Sequence, residues 1–232
     1  LHSFPTRRSS DLHIVQDIYP LVPLQEGILF HHLFDDQRGD TYVLPIVLLV
    51  SSRARLDELI AALQAVIDRH DVLRTAVLWE ELPRPVQVVY RRAMLPVREV
   101  ALQEDRSHEE QIQEWISPQR QRLDIRQAPL LRLQVAEDRG SGQWYALLQL
   151  HHMTSDHMTL EIITAEIVAH LQARAQALPS SLPYRNHVAQ ALAYAREHDA
   201  EEFFRGKLQE VEEPSAPFGL LDVHGEIGRA HV

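Results

Sequence analysis

Residues 148–162 read LQLHHMTSDHMTLEI, an apolar stretch that runs into two adjacent histidines, then Asp156 and His157. Successive side chains on a strand point to opposite faces. Leu148, Leu150 and His152 should therefore share one face and His151 the other, so one histidine is expected to act and its neighbour to support it. Imidazole is the usual proton handler and metal ligand near neutral pH. The cluster therefore stands for acid–base chemistry, a metal site, or a solvated strand end in a chain with 14 histidines. For a metal, His151, His152, Asp156 and His157 are the right ligand types, but their spacing lacks a helical i,i+4 histidine pair. For acid–base work, one neutral imidazole must be oriented by neighbours at a cleft. Asp156 could orient it or hold the loop through a cationic partner. The residues alone leave these readings open.

Outward from the cluster, QWYALLQLHH and the preceding LLRLQVAED read as two strands joined by RGSG, a hairpin signal because glycine supplies the positive φ of a tight reversal. On the other side, Leu160, Ile162, Ile163, Ile167 and Leu171 mark a helix from Met158 that fades near Leu178. Upstream, YPLVPLQEGILFHHL opens with prolines and becomes helical, and TYVLPIVLLV reads as a strand that Pro45 assigns to an edge or a bulge. Leu56, Leu59, Ile60, Leu63, Val66 and Ile67 predict the clearest helix, ending near His70. LRTAVLWE and RPVQVVYRR follow as strands, and Ser107 with Glu110 predicts a capping box for a helix running toward Arg122. PSSLP, residues 179–183, is the best linker, followed by helical HVAQALAYA and EEFFRGKLQEV. Locally paired strands with helices between, and no glycine-rich phosphate cradle, favour an α/β sandwich-like or α+β arrangement over a dinucleotide fold.

The 232 residues carry 45% hydrophobic and 24% charged side chains, an ordinary globular mixture able to bury a core. A net charge of −10 argues against a nucleic-acid partner. Without cysteine, disulfides, thiolate nucleophiles and cysteine metal sites are excluded. The longest apolar run, residues 42–50, is interrupted by Pro45 and is far below the ~20 residues of a spanning helix. No membrane association is expected, and the expected setting is cytoplasmic. Residues 1–12 and 225–232 lack periodicity and resemble translated sequencing-adapter read-through, so both are read as non-native ends of a truncated chain.

In company, the motifs say more. PLVPLQEGILFHHL at 20–33, RHDVLRTAV at 69–77, LHHMTSDHMTL at 150–160 and YRNHVAQAL at 184–192 resemble, in order, motifs of the condensation domain of nonribosomal peptide synthetases. That domain belongs to the chloramphenicol-acetyltransferase-like superfamily. The resemblance implies an α/β fold of α+β sandwich type, with an N-terminal lobe of a mixed sheet flanked by helices over residues 13–178, then a linker and the start of a similar C-terminal lobe over 179–224. Between two such lobes lies the family's active-site tunnel. The implied reaction joins an aminoacyl or peptidyl thioester to the amine of a second aminoacyl thioester. Both ride on phosphopantetheine arms of carrier proteins. No cofactor or metal is bound directly, and carrier and adenylation domains are the implied partners.

By the same resemblance His152 is catalytic, and Asp156 is structural, paired with Arg74 or alternatively Arg69. His151 supports the loop from behind. Gln25 lies near the tunnel, with core packing its plainer role, and His157 stands at the tunnel wall where the family usually has glycine. Alternatives are a non-catalytic platform that docks carrier proteins, an epimerisation domain, or a stand-alone acyltransferase. The fragment by itself is expected to be inactive.

Overall fold

A computed structural model of the protein describes residues 13–34, 39–103 and 105–212. The expectations for 1–12, 225–232 and the last part of 179–224, from residue 213 on, lie outside the described residues. The elements run β1 (Val15–Pro20), α1 (Pro23–Phe34), β2 (Val43–Val50), α2 (Arg53–Arg69), β3 (Thr75–Leu78), β4 (Val86–Tyr90), β5 (Val97–Glu99), α3 (His108–Trp115), β6 (Leu131–Asp138), β7 (Gln143–His151), α4 (His157–Leu171), α5 (Tyr184–Glu197) and α6 (Ala200–Leu208).

Two sheets form, one in the order β1-β4-β3 and the other β2-β7-β6-β5. All pairings are antiparallel except β5 with β6, so the second sheet is mixed. Pro45, unable to donate to a ladder on both sides, lies in β2 at the edge of its sheet, as its chemistry predicts. The β6–β7 hairpin turns through RGSG, where Gly142 takes φ +71° and the Asp138 carboxylate accepts from the Gly140 N–H and the Ser141 hydroxyl.

The core is built from the predicted stripe of α2. Ser52 caps this helix by accepting from the Arg55 N–H. Leu56, Leu63, Val66 and Ile67 then pack on Leu131, Leu133 and Val135 of β6, on Ala146, Leu148 and Leu150 of β7, and on Ile163 of α4. Each buried leucine of this kind contributes about 1.5–3 kcal/mol. A second cluster joins Leu21, Ile28 and Leu29 around α1 to Val77, Ile125, Leu130 and Met153, directly beneath the histidine turn.

Three expectations change. The helix expected to reach Arg122 stops at Trp115, and a 3-10 turn at Pro118–Arg120 follows, because proline lacks the N–H a continuing helix needs. Ser107 makes no side-chain cap bond, so the Ser107–Glu110 box is not formed. The helix expected to fade near Leu178 ends at Leu171, and Ala173 then takes φ 55°.

Two compact units result, Leu1–Leu192 and Ala193–Val232, with the division inside α5. Residues 179–192 belong to the first unit, where both carboxylate oxygens of Asp71 accept from the Tyr184 N–H at 3.1 Å and Val188 is buried. The second unit holds α6, capped by Asp199, whose carboxylate accepts from the Glu202 N–H.

Candidate active site

β7 delivers the cluster. Along it the apolar core face carries Ala146, Leu148 and Leu150, while Gln149 and His151, both fully buried, point to the opposite, polar side. His151 is the last strand residue, paired with Val43 of β2. The backbone then turns, so the alternation stops between the two histidines. The His152 N–H still donates to the Tyr42 carbonyl at 2.8 Å, but its side chain is exposed.

The two rings therefore have different chemistry. His152 places Nδ1 3.0 Å from the Ser155 carbonyl oxygen. A carbonyl only accepts, so in the neutral ring Nδ1 carries the proton and Nε2 keeps its lone pair. His151 accepts the Met153 N–H on Nδ1 at 3.0 Å and meets Asp40 Oδ2 with Nε2 at 3.0 Å. Burial pushes its pKa below the ordinary 6.5, with Asp40 opposing. His151 also anchors the turn through its carbonyl, which accepts from the Ser155 hydroxyl at 3.0 Å and the Thr154 N–H at 3.1 Å.

Asp156 does not pair with Arg74 or with Arg69 in this structure. It is the N-cap of α4, and Oδ1 accepts from both the N–H and the hydroxyl of Thr159 at 2.7 Å, which lowers its pKa. The first turn of a helix leaves unsatisfied N–H groups, and a carboxylate one residue before it is their natural partner. The buried Arg74 instead donates to carbonyl oxygens of Ile67 and Tyr90 and to Gln16, fastening α2 and β4 behind the turn. Arg69 goes to Glu166 of α4.

Gln25 is buried at the N-terminal end of α1. Its Nε2 donates to the Met153 carbonyl at 2.8 Å and to Gln87 Oε1 at 3.0 Å, so it holds the underside of the histidine turn. His157, the first residue of α4, is 82% exposed in its side chain and meets Glu161 one turn on at 3.1 Å. Among the described residues positive φ outside glycine occurs at Glu81 and Ala173, so the backbone at His157 does not demand glycine.

The four ligand types of the sequence cluster do not converge: His151 turns inward, His152 and His157 are exposed, and Asp156 caps a helix. A different trio does, His32, Asp40 and His151, all buried and with ligand atoms within 4.8 Å of one another. His32 and Asp40 were missed by the sequence reading. Their signal is a second adjacent pair, His31–His32, eight residues before an acid that opens the strand paired with β7. Beside the trio is a cavity of about 110 Å³ lined by His31, His32, Gly39, Asp40 and Tyr42. Larger cavities lie elsewhere, for example against Glu99, His108 and Asp138.

Among the described residues no helix is long and apolar enough to cross a membrane. The family model described as "Condensation domain" matches residues 15–216. Malpinin synthetase of Mortierella alpina is 44% identical over 213 residues, which are 91% of this chain and 3% of that protein. Malpibaldin synthetase of the same organism is 40% identical over 225 residues, 95% of this chain and 4% of that one. The chain thus spans a small part of the curated relatives it matches. The fold is shared with the first condensation domain of the calcium-dependent antibiotic synthetase, solved in complex with a substrate analogue. That match has a TM-score of 0.66 at 19% identity, over 87% of this chain and 50% of that one.

Proposed function

The chain belongs to the condensation-domain family, and we propose on that basis that His152 serves amide-bond formation between two carrier-bound thioesters. One observation carries the assignment: the bond from Nδ1 to the Ser155 carbonyl leaves Nε2 as a lone pair on an exposed ring, fixed in direction.

The chemistry needs such a group. The acceptor's amine attacks the donor's thioester carbonyl, the tetrahedral intermediate expels the thiolate, and the amine nitrogen loses a proton. Nε2 of His152 takes that proton from a position within ~3 Å of the nitrogen, and the same contact aligns the amine for attack. The exposed surface around His152 suits a lobe that forms one wall of a tunnel, and the chain covers 50% of the condensation domain it matches in fold. Residues 179–224 are the linker and first part of the opposite lobe in this reading. The substrates arrive on phosphopantetheine arms of carrier domains loaded by adenylation domains, in the cytoplasm, within a nonribosomal peptide synthetase.

The test is the complete synthetase carrying His152→Ala, with donor and acceptor carriers loaded and dipeptide formation followed by mass spectrometry. A loss of about 100-fold or more is expected for a removed acid–base group. A rate within three-fold of the wild type makes the domain a docking platform and overturns the assignment.

A further inference from the structure

Three separate stretches of chain converge on one buried carboxylate. His32 comes from the last turn of α1, Asp40 precedes β2, and His151 closes β7. Asp40 Oδ2 lies 2.5 Å from Nδ1 of His32 and 3.0 Å from Nε2 of His151. Its other oxygen accepts the Tyr42 N–H at 2.9 Å. Because Nδ1 of His151 already accepts the Met153 N–H, the proton of the neutral ring sits on Nε2 and is donated to Asp40. From His151 the connection continues through its carbonyl to the Ser155 hydroxyl, and from the Ser155 carbonyl to Nδ1 of His152.

We propose that Asp40 is a positioning residue for His152: its carboxylate holds His151 as the Nε2–H tautomer, which fixes the 151–155 turn that aims His152. The inference rests on the reading of His152 as the reacting group. Apolar side chains of similar volume would generally stabilise such a site as well or better. What the polar trio adds is a single ring orientation, since only one tautomer of His151 satisfies both Asp40 and Met153. His32 completes the set by donating to the same oxygen.

The proposal is tested in the complete synthetase by single-turnover dipeptide formation with saturating loaded carriers. Asp40→Asn can turn its oxygen toward the two histidines only by setting its NH2 against the Tyr42 N–H, and in the other flip that NH2 faces His151, so the orientation is no longer fixed. It is expected to lower kcat by about 100-fold, the cost of misplacing a reacting group by an ångström, with KM for the acceptor carrier unchanged. The double variant Asp40→Asn/His152→Ala is expected at the rate of His152→Ala alone, because a residue acting through His152 has nothing left to act on. A merely structural role would instead lower the folded fraction in both backgrounds by the same factor.

Asp40→Asn at the wild-type rate, or equal losses with and without His152, overturns the inference while leaving His152 catalytic. His152→Ala at the wild-type rate overturns both. If Asp40→Asn does not fold, His32 decides: glutamine keeps a donor for Asp40 and leucine does not, so the leucine variant should be slower by about 10-fold. Equal rates for the two overturn the inference. So does a stoichiometric metal ion in the purified protein that His32→Leu releases, since a ligated Nε2 of His151 carries no proton.

Discussion

Nε of Arg69 donates to Oε1 of Glu166 at 3.0 Å, while His70 meets the other carboxylate oxygen at 2.8 Å, so the end of α2 grips the middle of α4. Glu166 is almost fully enclosed, whereas the arginine and histidine keep part of their solvent access. The RH pair of the RHDVLRT stretch is thereby tied to the helix that Asp156 begins. Removing a buried carboxylate strands its donors, although partial exposure of both reduces the cost. Glu166→Ala should destabilise the protein by about 2 kcal/mol, and Glu166→Gln by less, read as shifts of the urea midpoint at constant slope. Equal midpoints for Glu166→Ala and the wild type would show that the grip adds nothing.

Tyr19 tests the opposite case. Its hydroxyl is buried with no hydrogen-bond partner among the described residues, and burial pushes its pKa well above the ordinary 10.0. An enclosed hydroxyl without a partner costs free energy that a phenyl ring of the same shape does not. Tyr19→Phe should therefore stabilise by about 1 kcal/mol, which for a chain of this size raises Tm by about 2–4 °C. A lower Tm would mean that the hydroxyl is bonded in solution.

How far the sequence disclosed this arrangement depended on how local each signal was. The stripe from Leu56 to Ile67, the RGSG reversal and the edge position of Pro45 were legible because period and turn chemistry act within a few residues. β5 escaped because three exposed residues show no alternation, and its partner β6 begins more than thirty residues later. The helix after Ser107 ends at Trp115 and not near Arg122 because Pro118 cannot continue it, whatever the apolar spacing beyond. The site divided in the same way. The family motif pointed to His152 and to a supporting His151, and the turn does join them. It did not reveal that Asp156 serves its own helix, or that Asp40 stands 111 residues before the ring it meets. Such pairs follow from the β2–β7 register, and no property of either residue alone encodes that register.

Acid should weaken the protein in two stages. His151 titrates below its ordinary 6.5, because burial disfavours the imidazolium and His32 and His152 nearby push the same way, while Asp40 opposes. For Asp40 burial pulls upward, but the hydrogen bonds from His151 and His32 outweigh it and set its pKa below the ordinary 3.8. A group whose folded pKa is depressed contributes its full stability above the unfolded value and loses it as pH falls through the folded one. Urea midpoints should therefore be level above pH 6.5, decline below it as unfolded His151 takes up a proton, and decline again below pH 3.8. Asp40→Asn should reduce the second decline, leaving the part that Asp156 and other hydrogen-bonded carboxylates contribute, and deepen the first. A midpoint that stays level from pH 8 to about pH 3, far below the ordinary histidine value, would contradict both assignments.

Gln25 offers the most direct test of what supports the turn from beneath. Its Oε1 accepts the Val22 N–H at 3.1 Å, and its Nε2 serves the Met153 carbonyl and Gln87. Leucine fills the space but leaves one buried N–H and two buried oxygens without this partner, although Gln87 still donates to the Pro20 carbonyl. Gln25→Leu should cost about 2–3 kcal/mol, roughly one per stranded group. Because Gln87 loses a donor in that variant, adding Gln87→Leu should cost less than it does in the wild type. The double-mutant cycle measures the difference: a coupling of about 1 kcal/mol is expected for contacting residues. Strict additivity would show that the two amides do not meet, and would leave the bond to the Met153 carbonyl as the polar tie between α1 and the histidine turn.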